Sequence, residues 1–133
     1  EHERYAVQKE ALHIKAGDSA DSILSLSGGN QQKVFLGRCL NIGADVLLFD
    51  NPTQGVDVGA KEEIYRLILG FAEAGKTVII NTLEIPEIQK VADRCVVFYE
   101  GEIIKIFEHS EVNEQDVMLY STNAIETIEE AAK

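Results

Sequence analysis

The run Leu26-Ser27-Gly28-Gly29-Asn30-Gln31-Gln32-Lys33-Val34 concentrates the most informative chemistry of the chain. The glycine pair leaves a helix entrance with no side-chain wall, so an anion can come close to bare backbone N–H groups. Ser27 stands at the N-cap position, and the residues that follow, through Leu40, have helical periodicity. Further on, the apolar run Val46-Leu47-Leu48-Phe49 ends in Asp50. A carboxylate closing such a strand beside a phosphate-binding turn is suited to hold Mg²⁺, directly or through water. The plainer reading is that Asp50 caps the turn Asn51-Pro52-Thr53-Gln54-Gly55, a frequent task for Asp at strand ends. Asp57 is likewise placed to cap the next helix.

The elements that must hold these residues follow from periodicity and breakers. Glu1 to about Ile14 reads as a helix, and the polar stretch from Lys15 to Ser22 as a loop leading into the glycine pair. Gly43-Ala44-Asp45 ends the second helix. Val46 to Phe49 is a continuous apolar run, expected to be a strand buried on both faces. A helix from Gly59 to Ala74 presents Ile64, Leu67, Ile68 and Phe71 at helical spacing, and Thr77 to Ile80 reads as a second buried strand. Pro86 suits the first turn of a helix running to about Ala92. Cys95–Tyr99 and Glu102–Phe107 flank Glu100-Gly101 as a tight hairpin, and Asn113–Tyr120 and Ile125–Ala132 close the chain as short helices. Alternating strands and helices imply an α/β fold: a mostly parallel sheet flanked by helices, with an antiparallel hairpin at its end. Ligands of such sheets bind beyond the carboxyl ends of the strands, where Asp50 and Asn81-Thr82 lie.

Composition narrows the function classes. The chain has 133 residues, enough for one domain with a modest core. Its 45% hydrophobic and 26% charged content is that of a globular protein, and a net charge of -11 argues against a nucleic-acid-binding surface. No apolar run is long enough to span a bilayer. Cys39 and Cys95 sit among apolar neighbours and read as small core residues, not as a disulfide or metal ligands. His2, His13 and His109 read as surface residues, and Glu126, Glu129 and Glu130 as a solvated helix face.

Taken together, the Ser-Gly-Gly run and the strand-ending Asp resemble the signature and Walker-B motifs of ATP-binding cassette (ABC) ATPases. Leu26–Val34, Asp50–Lys61, Glu63–Ile68 and Glu84–Ile88 narrow the resemblance to the second, C-terminal cassette of bacterial monosaccharide importers of the ribose/galactose/xylose type. The lysine-bearing loop Gly-x-x-x-x-Gly-Lys-Ser/Thr is not present in the strand–loop–helix setting it needs: Gly70–Thr77 spells it by letter but closes a helix and opens a strand. The expectation is therefore a piece of a longer protein, one partial P-loop NTPase (RecA-like) cassette over 1–133 without its Walker-A half. Within it, 1–42 is the helical signature part, 43–108 the core strands and helices, and 109–133 the C-terminal helices.

That resemblance implies specific roles. Ser27, Gly28, Gly29 and Gln31 would meet the γ-phosphate of ATP held by a second cassette docked head to tail. Asp50 would hold Mg²⁺ through water, and the segment around Asp57 would be the D-loop crossing the dimer interface. Integral-membrane permease subunits would be direct partners and a substrate-binding protein an indirect one, at the cytoplasmic face of the membrane. The fragment alone is expected not to hydrolyse ATP, and to pair with a second copy through an exposed sheet edge.

Two positions depart from active cassettes. Asn51 stands where a Glu usually polarises the attacking water; an amide can hydrogen-bond that water but not accept its proton. Leu83 falls near the place of the switch His, which that importer group's C-terminal cassette also lacks. Asn51 keeps open a degenerate, non-catalytic cassette that regulates a partner ATPase. A third alternative is the C-terminal half of a chromosome-maintenance or repair ATPase. Against it, a basic DNA-facing surface is absent at a net charge of -11, and Val58-Gly59-Ala60-Lys61 is an importer-like feature.

Overall fold

The computed structural model describes residues 6, 9, 10 and 12–124, with the side chain of residue 40 excepted. Most of the expected first helix, all of the expected helix Ile125–Ala132 and the tail glutamates lie outside the described residues. The chain divides into two compact units, 1–81 and 82–133.

The first unit is built on a strand–helix–strand crossover. Helix α1, Gly28–Ile42, starts at Ser27, whose side chain accepts from the Asn30 N–H, and stops at Gly43 in the left-handed region. Strand β1, Val46–Asp50, leads through the turn to helix α2, Val58–Glu73, which Asp57 caps. Strand β2, Thr77–Asn81, then pairs parallel to β1, from Val46 opposite Thr77 to Asp50 opposite Asn81. Leu47 and Phe49 are buried, as are Ile64, Ile68 and Phe71 of α2; the rings of Phe49 and Phe71 lie 5.9 Å apart.

The expectation that β1 and β2 are buried on both faces is corrected. Leu47 and Phe49 are buried, but Val46 is 57% and Leu48 72% exposed, and Ile79 on β2 is exposed beside them. A single helix layer covers one face only, and among the described residues no element covers the other. The strands read as continuous apolar runs because the sequence is written for a two-sided environment.

In the second unit, helix α3 spans Ile85–Val91 with Pro86 in its first turn, as expected. Strands β3, Arg94–Tyr99, and β4, Glu102–Glu108, form an antiparallel hairpin. Glu100 and Gly101 both have positive φ, 47° and 86°, which suits a two-residue turn whose twist matches the flanking strands. The hairpin makes its own two-stranded sheet. Helix α4, Glu114–Ser121, completes a small core of Ile85, Cys95, Val97, Phe107, Val112 and Val117. Tyr120 meets Phe107 edge-on at 5.5 Å.

Candidate functional site

The chemistry-bearing residues of the first unit fall into two groups. One lies at the carboxyl ends of β1 and β2. The Asp50 carboxylate is exposed, and its Oδ1 accepts from Asn81 Nδ2 at 2.8 Å and Asn51 Nδ2 at 3.0 Å. The Asn51 N–H also donates to the Asn81 carbonyl at 2.8 Å, continuing the ladder one step past the strand. Asn51 has φ 45°, a left-handed conformation that Asn tolerates better than most residues. The two amides therefore hold one carboxylate oxygen in place at the mouth of the parallel pair.

This donor set bears on what it can bind. Among the described residues no group of three or more His, Cys, Asp or Glu could hold a metal by itself. A lone oriented carboxylate fits the habit of Mg²⁺, which keeps its waters and draws its other ligands from phosphate oxygens. The Asn51 side-chain amide is engaged with Asp50 through its NH₂ group.

The second group lies at the start of α1. Ser27 Oγ accepts from the Asn30 backbone N–H at 3.5 Å and from Asn30 Nδ2 at 3.0 Å. Gln31 Nε2 donates to the Leu26 carbonyl at 2.8 Å, which braces the loop ahead of the helix. Gly28 and Gly29 approach the segment that follows the turn. A Cβ on Gly29 would stand 2.5 Å from Ala60 Cβ and 3.8 Å from Asp57 Oδ2, and one on Gly28 would lie 3.8 Å from the Gly55 carbonyl. Only a residue without a side chain lets α1 pack this closely on the start of α2. Asp57 Oδ1 accepts from the Ala60 N–H at 3.0 Å, so its capping role is present in the fold.

One turn further along both helices, the buried Lys33 forms an ion pair with Glu63 and donates to the His13 carbonyl at 3.0 Å. The Lys33 hydrogen bond is the first cause holding the Glu63 carboxyl below its ordinary value, despite an opposing desolvation cost. Gly29 against Ala60 and Lys33 against Glu63 thus form two successive rungs between α1 and α2.

The structure brings Gly29 to Asp57, and Asp50 to Asn51. No hydrogen bond or ion pair joins Ser27, Gly28, Gly29 or Gln31 to Asp50 or Asn51 among the described residues. Asn30, Lys33 and Glu63 escaped the sequence reading as site residues, and Asn81, which that reading places at the ligand-facing end of its strand, was not paired there with Asp50. Asn81 was accessible from register, since pairing β1 and β2 at equal length sets it opposite Asp50. Leu83 is 92% exposed, and the described histidines, His13 and His109, are also exposed.

Comparison with known proteins bears on the fold and its relatives. No protein-family model matches the chain. It is 46% identical over 114 residues to the ribose import ATP-binding protein RbsA of Hahella chejuensis, and 48% identical over 113 residues to RbsA of Lactococcus lactis subsp. lactis. It is 44% identical over 111 residues to the arabinose import ATP-binding protein AraG of Vibrio parahaemolyticus. These matches cover 86%, 85% and 84% of this chain, which spans only 23%, 23% and 22% of those relatives. Among solved structures, MJ1267, an ATP-binding cassette of an ABC transporter, superposes with a TM-score of 0.73 at 23% identity, covering 90% of this chain and 49% of that one. MJ0796, a dimeric cassette in a post-hydrolysis state bound to ADP and Pi, gives 0.68 at 26% identity, covering 80% and 46%. The fold is part of an ABC ATPase cassette of the P-loop NTPase type, and its homologues are ATP-binding subunits of sugar-import ABC transporters.

Proposed function

We propose that this chain supplies the signature helix, the Mg²⁺-holding Asp50 and the interface loop around Asp57 of a cassette that hydrolyses ATP to power uptake of a monosaccharide. The observation that carries this reading is the identity of 44–48% to ribose and arabinose import ATP-binding proteins over most of the chain.

In this reading two cassettes close head to tail on ATP. Ser27, with the N–H groups of Gly28 and Gly29, donates to the γ-phosphate held by the partner cassette, aided by the positive end of the α1 dipole. Gln31 steadies that loop from behind. In its own site, Asp50 would hold Mg²⁺ through water, and the ion would neutralise charge developing on the phosphates. Asn51 orients the attacking water but leaves its proton in place. Asp57 caps α2 at the interface between cassettes. Closure is passed to integral-membrane permease subunits at the cytoplasmic face, and a substrate-binding protein delivers the sugar.

The test is ATP hydrolysis and sugar uptake by the full-length protein containing this chain, reconstituted with its permease in vesicles. Uptake that needs ATP, with no hydrolysis by residues 1–133 alone, is the expected result. A full-length protein that neither binds ATP nor supports uptake would overturn the proposal. Asn51 favours one second reading, a cassette that donates Ser27–Gly29 and regulates closure without doing chemistry itself. It is distinguished by Asn51→Glu: restored turnover marks a working cassette with one chemical defect. Silence of both forms, while ATP still drives association, marks a regulator.

A further inference from the structure

Asn30 occupies a place that none of the roles above uses. Its side-chain amide is gripped at both ends: Oδ1 accepts from the Lys15 backbone N–H at 3.1 Å, and Nδ2 donates to Ser27 Oγ at 3.0 Å. A backbone N–H can only donate, so Lys15 fixes which end of the amide is oxygen and leaves the NH₂ facing the serine. Ser27 Oγ also accepts from the Asn30 backbone N–H at 3.5 Å. A hydroxyl has two acceptor sites and one proton. Both acceptor sites of Ser27 are taken up by Asn30.

We propose that Asn30 is a positioning residue that makes the Ser27 hydroxyl a dedicated hydrogen-bond donor, its proton directed away from the protein toward a terminal phosphate oxygen. The inference rests on the functional reading above and deepens it. A free serine hydroxyl rotates and both donates and accepts. Held by Asn30, Ser27 greets an acceptor-only anion without the cost of orienting its proton. The Lys15 contact extends the device, because it ties the incoming loop to the same amide that aims the serine.

The experiment uses the full-length protein reconstituted with its permease, with fluorescent labels reporting the approach of the two cassettes, so that no hydrolysis is needed. The half-saturating ATP concentration for closure is measured for wild type, Ser27→Ala, Asn30→Ala and the double variant, together with ADP affinity. Losing the pre-orientation of the hydroxyl, while the hydroxyl itself stays, predicts a weakening of about three- to tenfold for Asn30→Ala in the wild-type background. In the Ser27→Ala background the same change should cost less than about twofold, since its target is gone. ADP, lacking the terminal phosphate, should bind all four alike, which also shows that they fold. Asn30→Asp keeps the acceptor for Lys15 but turns the donor into an acceptor, so Ser27 should turn its proton inward and closure should weaken at least as much. Equal costs of Asn30→Ala in both backgrounds, or wild-type closure by Asn30→Asp, would overturn the proposal while leaving the cassette function standing. Wild-type protein that does not close on ATP at all would instead overturn the functional reading, and the role of Asn30 with it.

Discussion

Replacing Gly29 with Ala tests how tightly α1 and α2 are seated. The added Cβ would sit 2.5 Å from Ala60 Cβ, whereas apolar carbons settle at about 3.5–4.0 Å. Neither methyl can rotate away, so the helices must part by about 1 Å at this rung. Overpacking of this kind costs about 1–3 kcal/mol. Ala gains up to about 1 kcal/mol over Gly in a helix interior, and less here, because Gly29 is only the second residue of α1. The expected net loss is about 1–2 kcal/mol, read as a lower urea midpoint. Ala60→Gly removes the opposing methyl and leaves the Val56 Cγ1 contact at an ordinary 3.5 Å. The double variant should therefore recover most of the loss caused by Gly29→Ala, giving a coupling of about 1–2 kcal/mol in the cycle. If Gly29→Ala unfolds at the wild-type midpoint, or costs the same with Gly at position 60, the close seating is wrong.

Three further outcomes follow from the same geometry. Asn51→Glu in the full-length assembly should raise ATP turnover by about 10²–10⁴, the usual worth of a general base. It should also lower stability by about 1 kcal/mol, because Glu is less at ease than Asn at φ 45°; unchanged turnover with ATP bound would refute the first part. Glu63, held below its ordinary value of 4.5 by the Lys33 hydrogen bond, contributes stability that is complete above that value and is lost as pH falls through its lowered value. Glu63→Gln should thus flatten the acid limb of a stability–pH curve below about pH 4.5, and an unaltered limb would contradict the pairing. Phe71→Ala, which empties the centre of the α2–sheet core, should cost about 3–5 kcal/mol by denaturant unfolding, and a loss below about 1 kcal/mol would show that the core is not closed there.

Local signals carried the elements well. The Asp57 cap, the Glu100-Gly101 turn, Pro86 in the first turn of α3 and the apolar stripe of α2 were each legible, because each is decided within a few residues. The exposed face of β1 and β2 was not legible, since alternation is suppressed in strands written for cover on both sides. At the site, the types and positions of Ser27, Gly29, Asp50 and Asp57 stood out. The partners that orient them did not: Asn81 reaches Asp50 across 31 positions, and Lys33 reaches Glu63 from a separate helix. Such pairs depend on register and helix seating, which no window along a single sequence encodes. Gly29 looked like an opening for an anion, and the fold adds a second reason for it, the approach of Ala60.

The Asp50–Asn81 contact also has a bearing on fidelity of folding. Slipping one strand by a single residue turns every side chain to the opposite face, and the apolar run Val78-Ile79-Ile80 has no polar–apolar alternation to penalise such a slip. β2 has no fully buried residue to resist such a slip. Its alignment is instead clasped at both ends: the Thr77 N–H donates to the Asp45 carbonyl at 2.8 Å, and Asn81 meets Asp50 through its amide and Asn51 through its carbonyl. Only the native alignment lets one carboxylate oxygen collect both amides. The residues that hold the Asp50 carboxylate at the carboxyl end of the sheet therefore also act as its proofreaders, and Asn81→Ala should yield a misaligned, aggregation-prone species.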